Sequence, residues 1–290
     1  NVVVSQDTIY VYQKIGGILK IPTNNVDSII FYDTTSISLS SDSTFIIPST
    51  YNFENVSYGG QTDRLKMLLA LTSYVKTSHY GDKLDETILN NMFANENYTW
   101  SGYDFTEQPT KDLKSKTEED ARAEIVALFS DMAANSGDLN SVASDGVAGL
   151  VPRGSGHILV DSKGKEYAQL IDKGLMGSCF YYQATSKYLT DDKIGDVVDN
   201  ETVKEGRGTD KEHHFDEAFG YFGVPIDFPT NIDGLMFWGK YCNKRDELLG
   251  TNLIMDEFLK GRAAISAKAK EGQDSAVAEI KRLWEKVAAG

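Results

Sequence analysis

The sequence predicts a mainly α protein: a helical bundle preceded by a small N-terminal β hairpin or sheet module. Three observations carry this expectation. The first 50 residues contain short β-branched and aromatic runs separated by turn residues. From about residue 57 the apolar residues recur at three- and four-residue spacing. Proline is scarce, with six in 290 residues, so long helices can run uninterrupted. The expected division is 1–50 for the β module with a Ser/Thr-rich linker, and 51–290 for the bundle.

The totals fit that architecture. A chain of 290 residues with 41% hydrophobic content can bury a substantial core. It contains no run of about 18 apolar residues that would span a bilayer as a helix. A net charge of −14 argues against a nucleic-acid partner and against adhesion to an anionic membrane, and is compatible with attracting cations. The two cysteines, Cys179 and Cys242, lie outside any CxxC pattern, which leaves a single disulfide or two buried thiols. The chain starts at Asn1, which suggests an exported protein trimmed of its targeting segment.

VVVSQDTIYVYQK, IGGILKIP and DSIIFY read as strands broken by GG and PTNN turns, and SISLSSDSTFIIPST reads as a linker or extended arm. GQTDRLKMLLALTSYVK places Leu65, Leu68, Leu69, Thr72 and Val75 on one helical stripe. DKLDETILNNMF repeats the pattern with Leu84, Ile88, Leu89, Met92 and Phe93. TEEDARAEIVALFSDMAA opens with a capping-box signature at Thr117 and buries Ile125, Leu128, Phe129 and Met132. A loop is expected from about 135 to 157. It includes LVPRGS at 150–155, which matches a thrombin recognition site and carries no functional inference. ILVDSKGKEY reads as a small hairpin turning at Gly164.

KEYAQLIDKGLMGSCFYYQATSKYL is the most apolar helix, and Gly174 and Ser178 on it invite close approach by a neighbour. A loop over 190–209 follows, then the helix KEHHFDEAFGYFG, stopped by Pro225 and Pro229. LIMDEFLKGRAAISAKAK and SAVAEIKRLWEKVAA complete roughly seven helices.

The chemistry concentrates in KEHHFDEAFGYFG, residues 211–223. Phe215, Ala218, Phe219 and Phe222 form its core side, and the other side is expected to carry His213, His214, Asp216, Glu217 and Tyr221. His213 precedes Glu217 by four residues and His214 precedes it by three, so each pair can meet in space. Two imidazoles and a carboxylate suit iron or zinc rather than calcium. Further ligands would come from other helices, with Glu166, Asp172, Asp256 and Glu257 as candidates. The competing reading is structural: solvated His–Glu pairs on helices are common, and Gly220 and Gly223 fit tight packing as well as a site. His79 and His157 are isolated, Ser178 and Cys179 lack a base, and the KGR of 260–262 is expected on a solvated face.

TIYVYQKIGGILKIPTNNVDSIIF resembles a β module found near the mature N-terminus of surface lipoproteins from Gram-negative gut anaerobes. SYGGQTDRL, DKGLMGSCFYYQATSKYL, HHFDEAFGYFGVP and FLKGRAAI resemble an uncharacterised bacterial lipoprotein family, domain of unknown function 4856. That family is similar in style to the imelysin-like proteins, helical-bundle envelope proteins with a GxHxxE motif associated with iron uptake. His214 and Glu217 take the HxxE places, while Glu212 stands where the motif has glycine.

The resemblance implies an imelysin-like bundle that binds a metal ion or small ligand. It also implies export to the periplasm or outer membrane, with a lipid anchor preceding this sequence as the sole membrane attachment. A surface or outer-membrane protein is the implied partner. A non-catalytic scaffold without a metal site is the alternative, and a metal-dependent peptidase is less favoured because a single HxxE lacks the second histidine of HExxH.

Overall fold

The computed structural model describes the strands Val2–Ser5, Thr8–Tyr12 and Ile18–Pro22, together with residues 45–290. The expected strand DSIIFY and most of the Ser/Thr-rich linker lie outside the described residues. Two compact units divide the chain, residues 1–43 and 44–290.

In the first unit β1 (Val2–Ser5), β2 (Thr8–Tyr12) and β3 (Ile18–Pro22) form an antiparallel meander, with Val3 opposite Tyr10 and Tyr10 opposite Lys20. The β-branched and aromatic residues that mark these runs suit a pleated ladder.

The second unit is helical. α1 (Gly59–Thr77), α2 (Glu86–Ala94) and α3 (Glu119–Asn135) follow the predicted periodicity. α1 is more enclosed than one stripe implies: Met67, Ala70 and Leu71 are buried beside Leu65, Leu68, Thr72 and Val75, whereas Leu69 is exposed. The capping box predicted at Thr117 is absent. Thr117 Oγ1 donates instead to the Leu113 carbonyl at 2.9 Å, and α3 begins two residues later, at Glu119.

The expected loop over 135–157 is a correction. Gly149–Arg153 is a strand, β4, paired antiparallel with β5 (Gly156–Val160), so LVPRGS is the first arm and turn of a hairpin. Pro152 is compatible with this strand: Leu150, two residues earlier, turns its amide away from β5 to the Ser141 carbonyl at 2.7 Å, so the amide that Pro152 lacks would face the same outer side. Gly164 turns the chain as expected, and a single antiparallel bridge, Val160 to Glu166, closes across the turn before the next helix begins.

The long apolar helix is α4 (Tyr167–Leu175) followed by two π-helical stretches, 176–181 and 184–188. Gly174 is where α4 meets α3, since a Cβ there would lie 3.3 Å from Ile125 Cδ1. After the short α5 (Asp191–Ile194) comes α6 (Asp210–Phe222), whose first turn is a true capping box. Thr209 Oγ1 accepts the Glu212 amide at 3.2 Å, and Glu212 Oε2 accepts the Thr209 amide at 2.9 Å. α6 ends at Gly223, whose φ of 80° provides the left-handed cap before Pro225 is reached. Gly220 marks close packing, because a Cβ there would fall 2.7 Å from Tyr58 Cβ and 2.9 Å from Gln61 Cβ.

α7 (Phe237–Leu249) was not predicted; α8 (Ile254–Ser266) and α9 (Lys270–Ala289) were. α8 and α9 form an extensive helix pair joined at Ala267–Ala269. α6 lies at the centre, packed by α1, α5, α8 and the 184–188 π turn. Phe258 of α8 touches Phe215, Phe219 and Phe222 of α6 and Trp284 of α9, with ring centroids 5.4–6.3 Å apart. Both cysteines are buried free thiols, and burial pushes each up to about 12.

Candidate functional site

α6 divides the predicted cluster between two environments. Asp216 lies wholly inside the protein, which corrects its expected place on the outer side. Its Oδ1 accepts Arg262 Nε at 2.8 Å and the Tyr51 hydroxyl at 2.9 Å. Arg262 Nη1 also donates to Glu212 Oε1 at 2.7 Å, and the Ser266 hydroxyl donates to that same oxygen at 2.7 Å. The guanidinium carbon stands 5.1 Å from the Phe53 ring centroid. Burial pushes the Asp216 carboxyl up to about 6, against the opposing pull of Arg262 and Tyr51.

Arg262 is 1% exposed, so the KGR stretch expected on a solvated face contributes instead the buried cation that ties α8 to α6. Tyr221 is likewise buried rather than outward. Its hydroxyl has no partner among the described residues, and its ring stacks near Phe180 at 5.7 Å.

The other environment is half-buried and polar. His213 Nε2 stands 3.7 Å from Glu217 Oε2. Glu217 Oε1 is held by Gln61 Nε2 at 2.8 Å, from α1, and by the Tyr188 hydroxyl at 3.1 Å, from the second π turn. Tyr188 ends this π turn, which packs directly against α6, and such insertions in helices are frequent at functional sites. The Lys116 ammonium is 5.9 Å from the Tyr188 ring centroid, and burial lowers its pKa. Gln61, Lys116 and Tyr188 were not among the residues singled out from the sequence.

His214 faces away from this pair and toward α5. Its Nδ1 contacts the Lys193 carbonyl at 2.7 Å, and because a carbonyl only accepts, that nitrogen carries the proton and Nε2 keeps its lone pair. The two imidazole centroids are 6.2 Å apart.

The remaining candidates lie in other neighbourhoods. Glu166 accepts Arg153 at 2.7 Å, Asp172 pairs with Lys173 at 2.6 Å, and Glu257 pairs with Lys260 at 3.1 Å. Asp256 borders a separate cavity with Phe228 and Pro229. Among the described residues no group of three or more His, Cys, Asp or Glu side chains converges on one point.

Two ligands of a zinc-like ion at tetrahedral angles stand about 3.3 Å apart, given bond lengths of about 2.0–2.2 Å. The His213–Glu217 separation of 3.7 Å meets that with a small rotation. The donor set therefore fits two positions of an open coordination sphere, one imidazole and one carboxylate, with Gln61 and Tyr188 fixing the carboxylate from behind.

Burial lowers the pKa of both His213 and His214 below the usual 6.5. In the unfolded chain both bind a proton as pH falls below about 6.5, while the folded protein resists it, so acidification from that point favours unfolding. The His213→Gln/His214→Gln variant is expected to lose less stability than the parent between pH 7 and 5. Urea midpoints across that range measure the difference, and parallel curves would contradict it.

No curated protein and no solved structure matches the chain. A family model described as a domain of unknown function, DUF4856, matches residues 48–289, which is nearly all of the helical unit and includes every residue of both polar clusters. The chain belongs to the DUF4856 family.

Proposed function

We propose that the chain is a non-enzymatic, ligand-binding protein of the bacterial cell envelope that takes a divalent transition-metal ion, iron or zinc, at His213 and Glu217. The supporting observation is the half-buried pair itself, 3.7 Å apart, with Glu217 anchored by Gln61 and Tyr188. Water or a donor from a bound partner completes the sphere. His214 contributes only after its ring turns from α5, so His213 rather than His214 is the principal imidazole. The envelope location rests on the resemblance of the N-terminal module to those of surface lipoproteins.

Calorimetric titration of metal-stripped protein with zinc, and with ferrous ion under anaerobic conditions, tests this reading. Saturable binding is expected in the parent, at least 100-fold weaker in His213→Ala and Glu217→Ala, and weakened less in His214→Ala. A parent that binds neither ion, or variants that bind as the parent does, would sink it.

A second reading has its own support. Asp216, Tyr221 and Gly220 are committed to packing and to the Arg262 ion pair, so much of the HHFDEAFGYFG stretch works as architecture. In an interaction protein without a metal site, His213 and His214 would be structural, and His214→Ala would lower stability without affecting any ion.

A further inference from the structure

The chain carries a net charge of −14, yet the surroundings of Glu217 have the opposite sign. Gln61 of α1 holds Glu217, and Arg64 lies three residues further on, one turn along the same face of α1. Arg64 is 4% exposed. Its Nε donates to the Asp112 carbonyl at 2.7 Å and its Nη1 to the Gly60 carbonyl at 3.1 Å, and neither acceptor neutralises the charge. Lys116 stands beside the ring of Tyr188, the other holder of Glu217. Its backbone is fixed there by Gln183 Nε2, which donates to the Lys116 carbonyl at 2.7 Å. Burial lowers the Lys116 pKa, the Arg64 charge adds to that effect, and Glu217 opposes it.

Lys193, whose carbonyl receives His214, places a third positive charge within reach of both His214 and Lys116. Asp210, the second acid that acts on His214, is spent on Lys204 at 2.6 Å and Arg207 at 3.2 Å. A bare divalent ion drawn to Glu217 thus meets one uncommitted carboxylate and three positive charges. Coulomb repulsion weakens its hold unless it arrives with negative charge of its own. A second observation agrees. The Tyr221 hydroxyl, one turn beyond Glu217 on α6, is wholly buried without a partner among the described residues, in the field of both Arg64 and Glu217. Its ring lies 6.1 Å from that of Tyr188. Donors and positive charge are therefore in excess around this carboxylate, and acceptors are short.

We propose that the site takes a metal ion together with a small oxygen chelator, such as a dicarboxylate, with the ion on His213 and Glu217 and the chelator's outer oxygens facing Lys116 and Arg64. This rests on the metal reading of His213 and Glu217 given above and names the form in which the metal is taken. Lys116 and Arg64 are then specificity-determining residues: they disfavour the bare ion and favour the anionic chelate.

Zinc titrations of the metal-stripped protein, with and without oxalate, test the proposal. Oxalate competes for zinc in solution, so by itself it lowers the apparent affinity. The proposal expects the reverse, a gain of roughly tenfold or more. Lys116→Met keeps the aliphatic stem and removes the charge. It is expected to lose most of that gain while binding zinc alone more tightly than the parent does, because a repelling charge has gone. Gel filtration of the parent with radiolabelled oxalate gives a readout independent of any variant's folding: oxalate should be retained with zinc present and lost without it. Zinc bound with no oxalate retained, oxalate retained without zinc, or an undiminished oxalate gain in Lys116→Met would each overturn the proposal and leave the metal site standing. A parent that binds no zinc with or without oxalate would overturn both.

Discussion

Replacing Arg262 by alanine is expected to destabilise the protein by about 3–5 kcal/mol, the range for breaking a buried ion pair from one side. The substitution leaves Asp216 inside the protein with the Tyr51 hydroxyl as its remaining side-chain partner among the described residues, and it removes a partner of Glu212. It also removes the cation that ties α8 to α6 beside the Phe53 ring, while the Ser266–Glu212 bond between the two helices stays in place. Most of the loss is the penalty of stranded charge rather than the worth of the pair. Removing both charges together, as in Asp216→Leu/Arg262→Met, is therefore expected to cost far less than the sum of the single changes. Urea unfolding of the four proteins measures the coupling, and additive losses would contradict it.

Phe258→Ala is expected to cost a similar amount, about 3–5 kcal/mol, for a different reason. The ring is fully buried and contacts three phenylalanines of α6 and Trp284 of α9, so its removal opens a cavity where three helices meet. Phe258→Leu, which refills part of the volume, should recover a large share of the loss. A chemical-denaturation midpoint for Phe258→Ala within error of the parent would mean that the aromatic hub does not organise the core. Together the two substitutions separate the electrostatic from the apolar attachment of α6.

The helices with a clean apolar period were legible in the sequence. α1, α2 and α3 lie where the spacing of their leucines, isoleucines and phenylalanines places them. α7 was missed because FWGKYCNKRDELL opens with two aromatics and a glycine and shows no clear apolar stripe; its buried residues are only Phe237, Gly239 and Cys242. β4 was hidden by Pro152 and the flanking glycines, which mimic a loop until a pairing partner is known. The two π stretches leave no periodic trace, since LMGSCFYYQATSKYL is apolar enough to satisfy either helix.

For the site, the local part was readable and the long-range part was not. His213 and Glu217 meet because they are one turn apart on α6. Asp216 and Arg262 meet although 46 residues separate them. One signal was present in the sequence: Arg262 sits inside the apolar run FLKGRAAI, and the acids Glu212 and Asp216 are spaced i, i+4 to receive it. Without knowing that α8 lies against α6, that arginine reads as surface. Gln61, Tyr188 and Lys116 come from three separate segments and carried no pattern at all.

The most direct test of the account is anomalous diffraction from crystals of the metal-stripped protein soaked in zinc. A peak is expected between the two side chains on α6, within about 2.0–2.2 Å of both His213 Nε2 and Glu217 Oε2. Glu217 should still be held by Gln61 and Tyr188, and Asp216 should remain on Arg262. Zinc found only at exposed carboxylates such as Asp256, with the His213–Glu217 pair unchanged, would contradict the proposed site and leave α6 as the structural centre of the bundle.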